Sequence, residues 1–515
     1  MHHRLLYKPR SDRVAIRMTS TAGCVTLKNT VRDDGMTYRE SLQLQSGHLP
    51  VRQGHLTDFP RDPLGCMRSL HSEFGDIAVL EDQGKRIAFV FSPEYNRQVL
   101  SDSRTFHSQF FAIRGGRQSA QRRVTSGLLS MNGAEHRENR RVMMDVFSRR
   151  ILPDYHSVIC DLTTDLMSDW VTGQQRDLNC EMVDFMVRMT SALLFGIDDA
   201  HDALELGSMI DRWVRQNHEV GIGALVSAPQ FPDSYEKLLA DAEKLESSVQ
   251  ELIAAHKRQP TAAHRSDVLS LMFRAQKTNQ QLTDEKLVGH AALTFAAAHL
   301  TTAHTLSWTL FLLAQHPEVM NRLAQELAAG TTGRHPTFAE LESLTYLDWV
   351  IRESMRVLPA SSYSQRVCAE AARLGPLSLS AGTPVIFSQY MTHHRPDLFE
   401  SPDEFQPERW SEISPSAYEY LPFGAGPRMC IGAPLAMVEL RTALAVMLKQ
   451  FHFQMVPNTV VDGQIISTML GPTTSVHAHL LNVSQSPQTV PVAGTVHSLM
   501  QMPASARPTT YQRAA

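Results

Sequence analysis

Phe423-Gly424-Ala425-Gly426-Pro427-Arg428-Met429-Cys430-Ile431-Gly432 holds a single cysteine in a glycine-punctuated loop that runs straight into an apolar segment. Gly424, Gly426 and Gly432 open positive φ angles and close backbone approach, and Pro427 stiffens the turn. Ala433 to Phe451 then reads as a helix with Cys430 near its positive end. A thiolate is stabilised there, and backbone donors can hydrogen-bond its sulfur. The arrangement suits a chain that presents one sulfur ligand to a metal, and Arg428 beside it can pair with a carboxylate. A buried structural cysteine next to a turn is the plain alternative.

The rest of the chain bounds the setting. At 515 residues, with 43% hydrophobic and 20% charged content, it has material for a large globular core. The 49 Lys+Arg against 53 Asp+Glu, a formal charge of −4, give no reason to expect nucleic acid as a partner. Six cysteines without C-x-x-C spacing argue against zinc or a disulfide framework and fit a reducing cytoplasm. Charges throughout the first sixty residues leave no signal peptide or membrane anchor visible.

Residues 1–56 read as a partly flexible extension, 57–485 as a single domain, and 486–515 as a tail without a core. Short apolar runs at Asp76 to Leu80 and Arg86 to Phe91 predict a β-hairpin, followed by a helix over Pro93 to Leu100. Spacing is helical from about 133 to 358, and strand-like runs return at Leu377 to Leu379 and Pro384 to Phe387. The chain is therefore mainly α with small β-sheets, an α+β architecture.

Thr283-Asp284-Glu285 caps a helix that meets no proline before Pro317, ~33 residues and ~50 Å long. Its centre, Ala296-Ala297-Ala298-His299-Leu300-Thr301-Thr302-Ala303, combines small residues with two hydroxyls, so a flat cofactor can approach closely. The apolar run Leu293 to Leu313 also reads as a membrane span, but nearby histidines, several threonines and the lack of basic flanks argue against it. Glu353 and Arg356 share a helix face that Pro359 ends; alone, such a pair contributes under ~1 kcal/mol. His136 and Arg140, four apart, make a basic face.

These segments together resemble the cytochrome P450 family, from about residue 57 to 485. The cysteine loop fills every fixed position of the family's Phe-Gly-x-Gly-x-(His/Arg)-x-Cys-x-Gly. Ala297, Ala298, Thr301 and Thr302 fit the register of its oxygen-binding helix, Glu353 and Arg356 its Glu-x-x-Arg, and Arg409 in Phe405-Gln406-Pro407-Glu408-Arg409-Trp410 the third member of that network. The resemblance implies the P450 fold, a long oxygen-binding helix over haem b, with Cys430 as iron ligand. Phe423, Gly424, Gly432 and Ala298 would lie against the haem, and His136, Arg140, Arg366 and Arg428 would hold its propionates. Glu353, Arg356 and Arg409 would lock the loop, Thr301 and Thr302 would handle oxygen, and Ala297, Leu300 and Ser362 would line the substrate pocket. Residues 361 to 365, the loop around Leu470 and a mobile roof over about 205 to 235 would complete it.

The chain departs from the family at Leu300, where an acid usually precedes the threonine. Leucine cannot carry a proton, which leaves His299 or His304, acting through water, as candidates. The implied activity is a monooxygenase that hydroxylates or epoxidises a hydrophobic small molecule, a secondary metabolite, with O2. Two electrons would come from NAD(P)H through a ferredoxin and its reductase, or a flavodoxin-type donor, docking near Arg140, Arg141 and Arg428. Because of Leu300, a peroxygenase or a coupling or rearrangement catalyst on the same haem-thiolate site is the alternative, and a non-catalytic haem sensor or carrier a third reading. The resemblance is to soluble, bacterial-type members, cytoplasmic and monomeric, or to a member supplied without its membrane anchor. Arg114, Arg117, Arg122 and Arg123 in the variable region either meet an acidic substrate group or are solvated.

Overall fold

The computed structural model describes residues 49–109, 113–197, 199–226, 231–258, 267–278 and 282–507. Seven helices carry the site residues and their partners: α1 (Gly133–Val146), α2 (Leu178–Phe195), α3 (Ala200–Val226), α4 (Phe231–Arg258), α5 (Asp284–Gln315), α6 (Thr345–Val357) and α7 (Ala433–Leu448). The spine is α5, 32 residues long. Thr283 caps it by accepting the Lys286 N–H, and Asp284 and Glu285 lie in the first turn against the helix dipole. From Thr305 to Gln315 every residue is buried, so this C-terminal third is enclosed by protein on all sides rather than amphipathic. Among the described residues no helix is long and apolar enough to cross a membrane.

Close backbone contact seats α5. A Cβ built on Gly289 would stand 2.4 Å from Ser126 Oγ and 2.7 Å from the Gly127 nitrogen. Gly289→Val should therefore destabilise the protein by ~1–3 kcal/mol. Denaturant titration reads this directly; a midpoint within error of wild type would mean that the two backbones separate at no cost.

The expected hairpin forms between Ile77–Asp82 and Lys85–Val90, turning through Gln83 and Gly84 at φ +49° and +81°. Ser92 then caps the helix Pro93–Ser101. Six strands make the larger sheet, in the order Val51–Gln53, Ile77–Asp82, Lys85–Val90, Pro384–Phe387, Ser364–Cys368, Phe106–His107. Segments almost 300 residues apart in sequence thus share one sheet, with the Arg366 strand separated from the N-terminal hairpin only by Pro384–Phe387.

Three expectations need correction. The helix after the cysteine loop ends at Leu448; Phe451–Met455 is a strand antiparallel to His477–Asn482. Phe451 and Phe453 pack on Trp170, with ring centroids 5.6 and 5.9 Å away, and this non-local partner overrides the continuing apolar pattern. The expected extension, residues 1–56, is divided: residues 1–48 lie outside the described residues, whereas Val51–Gln53 pairs in parallel with Ile77–Asp82 and Leu56 is buried. The tail expected from 486 onward packs as far as residue 507. Val492, Val496, Leu499, Met500, Met502 and Ala506 are buried, Ala493 bridges Val460, and Arg68 donates to the Ser498 carbonyl at 2.8 Å. Its few apolar residues are spaced without periodicity, so their burial was not legible in the sequence.

Candidate active site

The cysteine loop is built by its own backbone. Gly424 N–H donates to the Leu421 carbonyl at 2.9 Å, and Cys430 N–H to the Phe423 carbonyl at 2.8 Å. Gly424 and Gly426 take φ of +66° and +69°, and a Cβ on Gly426 would stand 2.3 Å from the Leu100 carbonyl oxygen. Gly432, expected to share this freedom, has φ −83° and caps α7. Cys430 lies deep in the protein with its side chain open to an internal cavity. Burial pushes its thiol upward, while the backbone N–H groups of Gly432 and Ala433 and the Arg140 guanidinium pull it down.

That cavity measures about 770 Å³. The loop contributes Phe423, Gly424, Arg428, Cys430 and Gly432; α5 contributes Ala297, Ala298, Thr301 and Thr302. The hydroxyls of Thr301 and Thr302 donate to the Ala297 and Ala298 carbonyls at 3.0 and 3.1 Å, which leaves their oxygens free to accept. Residues 465–468 line the cavity, whereas Leu470, expected there, is buried beyond it. Ser362 does not line it: the side chain is fully buried and donates to the Thr468 carbonyl at 2.9 Å. Leu300 does not line it either, because one residue turns the helix by about 100° away from the Thr301 face.

Neither candidate histidine reaches the cavity wall. His299 is buried with Nε2 2.6 Å from Asp211 Oδ1 on α3 and Nδ1 3.0 Å from the Phe295 carbonyl. His304 is likewise absent from the lining. None of Arg114, Arg117, Arg122 and Arg123 faces the cavity; Arg123 forms a two-pronged ion pair with Glu246, so the expectation of solvation fails for it. Glu439 of α7, which no sequence motif singles out, does line the cavity, with its carboxyl pushed up to about 8 by burial.

Four basic side chains converge on the cavity: His136 and Arg140 from α1, Arg366 from the sheet and Arg428 from the loop. Arg428 donates to the Met131 and Leu129 carbonyls at 2.7 and 2.9 Å, and Arg366 to the Gln365 carbonyl at 2.9 Å. None of the four forms an ion pair with a carboxylate among the described residues. Burial, then Arg366 and Arg140, pushes Arg428 down to about 9; burial alone pushes Arg366 down to about 10. His136 falls to about 3, from burial first and then from Arg428, Arg140 and Arg366. Like charges crowded this way call for an anionic partner. Of the three arginines expected to face an electron donor, Arg140 and Arg428 turn inward, and only Arg141 is exposed.

Behind the loop, Glu353 of α6 is completely buried and accepts from five donors. Arg356 contributes Nε and Nη2 at 3.0 and 2.8 Å, Arg409 Nε at 2.9 Å, Trp410 Nε1 at 3.0 Å and the Gln406 backbone N–H at 3.0 Å. Arg356 also donates to the His393, Pro402 and Glu404 carbonyls at 2.9, 2.6 and 2.8 Å. The sequence pointed to three of these side chains. Trp410, adjacent to Arg409, is the fourth.

His393 extends the cluster toward the cysteine loop by accepting the Leu421 N–H at 2.8 Å. Burial, then Arg356, lowers it from 6.5 to about 3, so the folded protein holds it neutral. A histidine depressed in the folded state contributes stability above its unfolded value that is lost as pH falls. Between pH 6.5 and about 3 this group should cost up to ~1.4 kcal/mol per pH unit. Urea midpoints measured across that window should fall more steeply for wild type than for His393→Asn; equal slopes would remove His393 as the cause.

A haem fits the residues present. A thiol opens into a cavity walled on one side by small residues of α5, and three arginines and the neutral His136, none in an ion pair with a carboxylate among the described residues, surround it, a donor set suited to two propionates. Comparison with known proteins agrees. The cytochrome P450 family model matches residues 49–475. Cyclooctat-9-en-7-ol 5-monooxygenase of Streptomyces melanosporofaciens is 31% identical over 427 residues, covering 81% of this chain and 90% of that protein. Pentalenene oxygenase of Streptomyces avermitilis is 28% identical over 439 residues, 83% of this chain and 94% of that one. The fold matches a retinoic acid bound cyanobacterial CYP120A1 with a TM-score of 0.69 at 21% identity, over 81% of this chain and 93% of that structure. A family match over most of the chain, together with a thiol-bearing cavity ringed by arginines that form no ion pair with a carboxylate among the described residues, leads to one conclusion: this protein belongs to the cytochrome P450 family and is a haem-dependent monooxygenase.

Proposed function

We propose that the chain hydroxylates or epoxidises a hydrophobic secondary metabolite of terpenoid type, using O2 and two electrons passed from NAD(P)H through a ferredoxin and its reductase or a flavodoxin-type donor. The observation that carries this reading is the wall of the cavity: Leu293, Ala297, Ala298, Leu56, Phe59 and Ile386 offer apolar surface around the open Cys430 side chain. The two relatives named for terpenoid oxygenation support the substrate class.

When bound, haem iron supplies the activation of O2 and the oxygen insertion. The chain's residues do the rest. Cys430 provides one sulfur ligand, held by a loop whose backbone donors face it. His136, Arg140, Arg366 and Arg428 would hold the two propionates and so fix the plane of the group. Thr301 and Thr302, with hydroxyl protons committed to the helix, present acceptor oxygens that can hold a water, and the apolar wall excludes the rest.

Protein loaded with hemin, reduced and exposed to carbon monoxide should show the band of thiolate ligation. Supplied with NADPH, a ferredoxin–reductase pair and a terpene panel, it should place one atom of labelled O2 in the product. An imidazole-type band, or product free of label, would overturn the reading. A second reading, the peroxide-using one, draws support from α5, whose cavity residues Leu293, Thr294, Ala297, Ala298, Thr301, Thr302 and Thr305 include no titratable side chain. Faster turnover with peroxide than with redox partners would favour it.

A further inference from the structure

Asn217 carries an amide that no described residue answers. The residue lies on α3, is 1% exposed and lines the cavity, yet both Oδ1 and Nδ2 lack a hydrogen-bond partner among the described residues. Leaving a buried amide unmet is costly, and native interiors do so rarely. One turn earlier on the same helix face, by contrast, Trp213 Nε1 donates to Gln121 Oε1 at 2.8 Å. The hydroxyls of Thr301, Thr302 and Thr305 on α5 are already committed to carbonyls of their own helix.

We propose that Asn217 is a specificity-determining residue that receives a hydroxyl group of the substrate, so that the protein acts on an apolar skeleton already bearing an alcohol. An amide offers an acceptor and two donors. An alcohol, itself donor and acceptor, answers both ends. A ketone answers only Nδ2, a carboxylate would set its charge against Oδ1, and a hydrocarbon leaves both ends bare. Sites built to hydrogen-bond a hydroxyl discriminate strongly against the analogue that lacks it. In sequence of reactions, a step that installs the first oxygen on a hydrocarbon, by hydroxylation or by water capture of a carbocation, precedes this one. The inference rests on the monooxygenase reading of the same cavity.

The test uses the full-length haem-loaded protein and two matched pairs, cedrene with cedrol and abietadiene with abietadienol, followed by calorimetry and by difference spectra. Wild type should bind the alcohol at least ~10-fold tighter in one pair or both, and Asn217→Leu should bring the ratio to about one. The ferrous carbonyl spectrum should stay that of wild type. Without ligand, the Asn217→Leu protein should melt at the wild-type temperature or ~2 °C above it, because an unmet polar group has been removed. Equal or absent binding of the alcohols by wild type, discrimination that survives in Asn217→Leu, or a melting temperature lowered by more than ~2 °C, the mark of a structural asparagine, overturns the proposal. A wild-type carbonyl band without thiolate character overturns the monooxygenase reading instead, which keeps the two failures apart.

Discussion

Cys430→Ser should abolish O2-dependent turnover, with a loss on the order of 10³-fold or more, and the ferrous carbonyl band of thiolate ligation should vanish with it. The side chain changes by one atom, so the loop should still form: its shape rests on the Cys430 and Gly424 backbone hydrogen bonds and on the positive φ of Gly424 and Gly426, none of which involves sulfur. A serine oxygen is a harder, weaker donor to iron than a thiolate. Circular dichroism should therefore match wild type while the spectrum and the activity change together. Full turnover in Cys430→Ser would mean that another group anchors the chemistry. Cys66, Cys160 and Cys368 cannot take over, because none of them lines the cavity.

The largest stability effect is expected at Glu353. Glu353→Ala strips the shared acceptor from Arg356, Arg409 and Trp410 and leaves two buried guanidinium groups facing each other. Removing one partner from a buried ion network costs about 3–5 kcal/mol, a large share of the margin by which a protein of this kind stays folded. We expect Glu353→Ala to accumulate poorly and to retain little haem, since Arg356 ties α6 to the 402–404 backbone and His393 carries the connection to Leu421, two residues before the cysteine loop begins. Glu353→Gln should be milder, because the amide oxygen still accepts. Chemical denaturation and haem content of the two variants provide the measurement, and a Glu353→Ala protein within ~1 kcal/mol of wild type would reduce the cluster to an ordinary surface-type pair.

Much of this was legible because the relevant signals are local. The glycine spacing of 424–432, the caps and the absence of proline over Asp284–Gln315, and the hairpin turn at Gln83-Gly84 each act within a few residues. Glu353 and Arg356 are neighbours on one helix face, so their pairing follows from helical geometry. Legibility failed where the answer depended on direction. Ser362 and Leu300 sit in the right segments, but neither faces the cavity: Ser362 is tied to Thr468, more than a hundred residues on, and Leu300 faces off the threonine side of α5. The residues leading up to 507 were unreadable because their burial is set by Val460, Arg68 and Tyr390, not by any pattern of their own.

By itself the sequence determined which atoms could do chemistry here: one cysteine in a loop that only glycine-rich backbone can adopt, two threonines on a helix long enough to span the core, and an acid with its arginines. Only the tertiary structure decided which of these atoms meet. Three arginines and a histidine from distant parts of the chain came to share one cavity with no ion pair to a carboxylate among the described residues, His299 was turned away to Asp211, and Asn217 was left facing that cavity with no described residue to answer it. The physical reason is range. Backbone conformation and helix-face neighbours are fixed by contacts a few residues apart, whereas the direction of a side chain into a cavity is fixed by whatever the packed core brings against its other face.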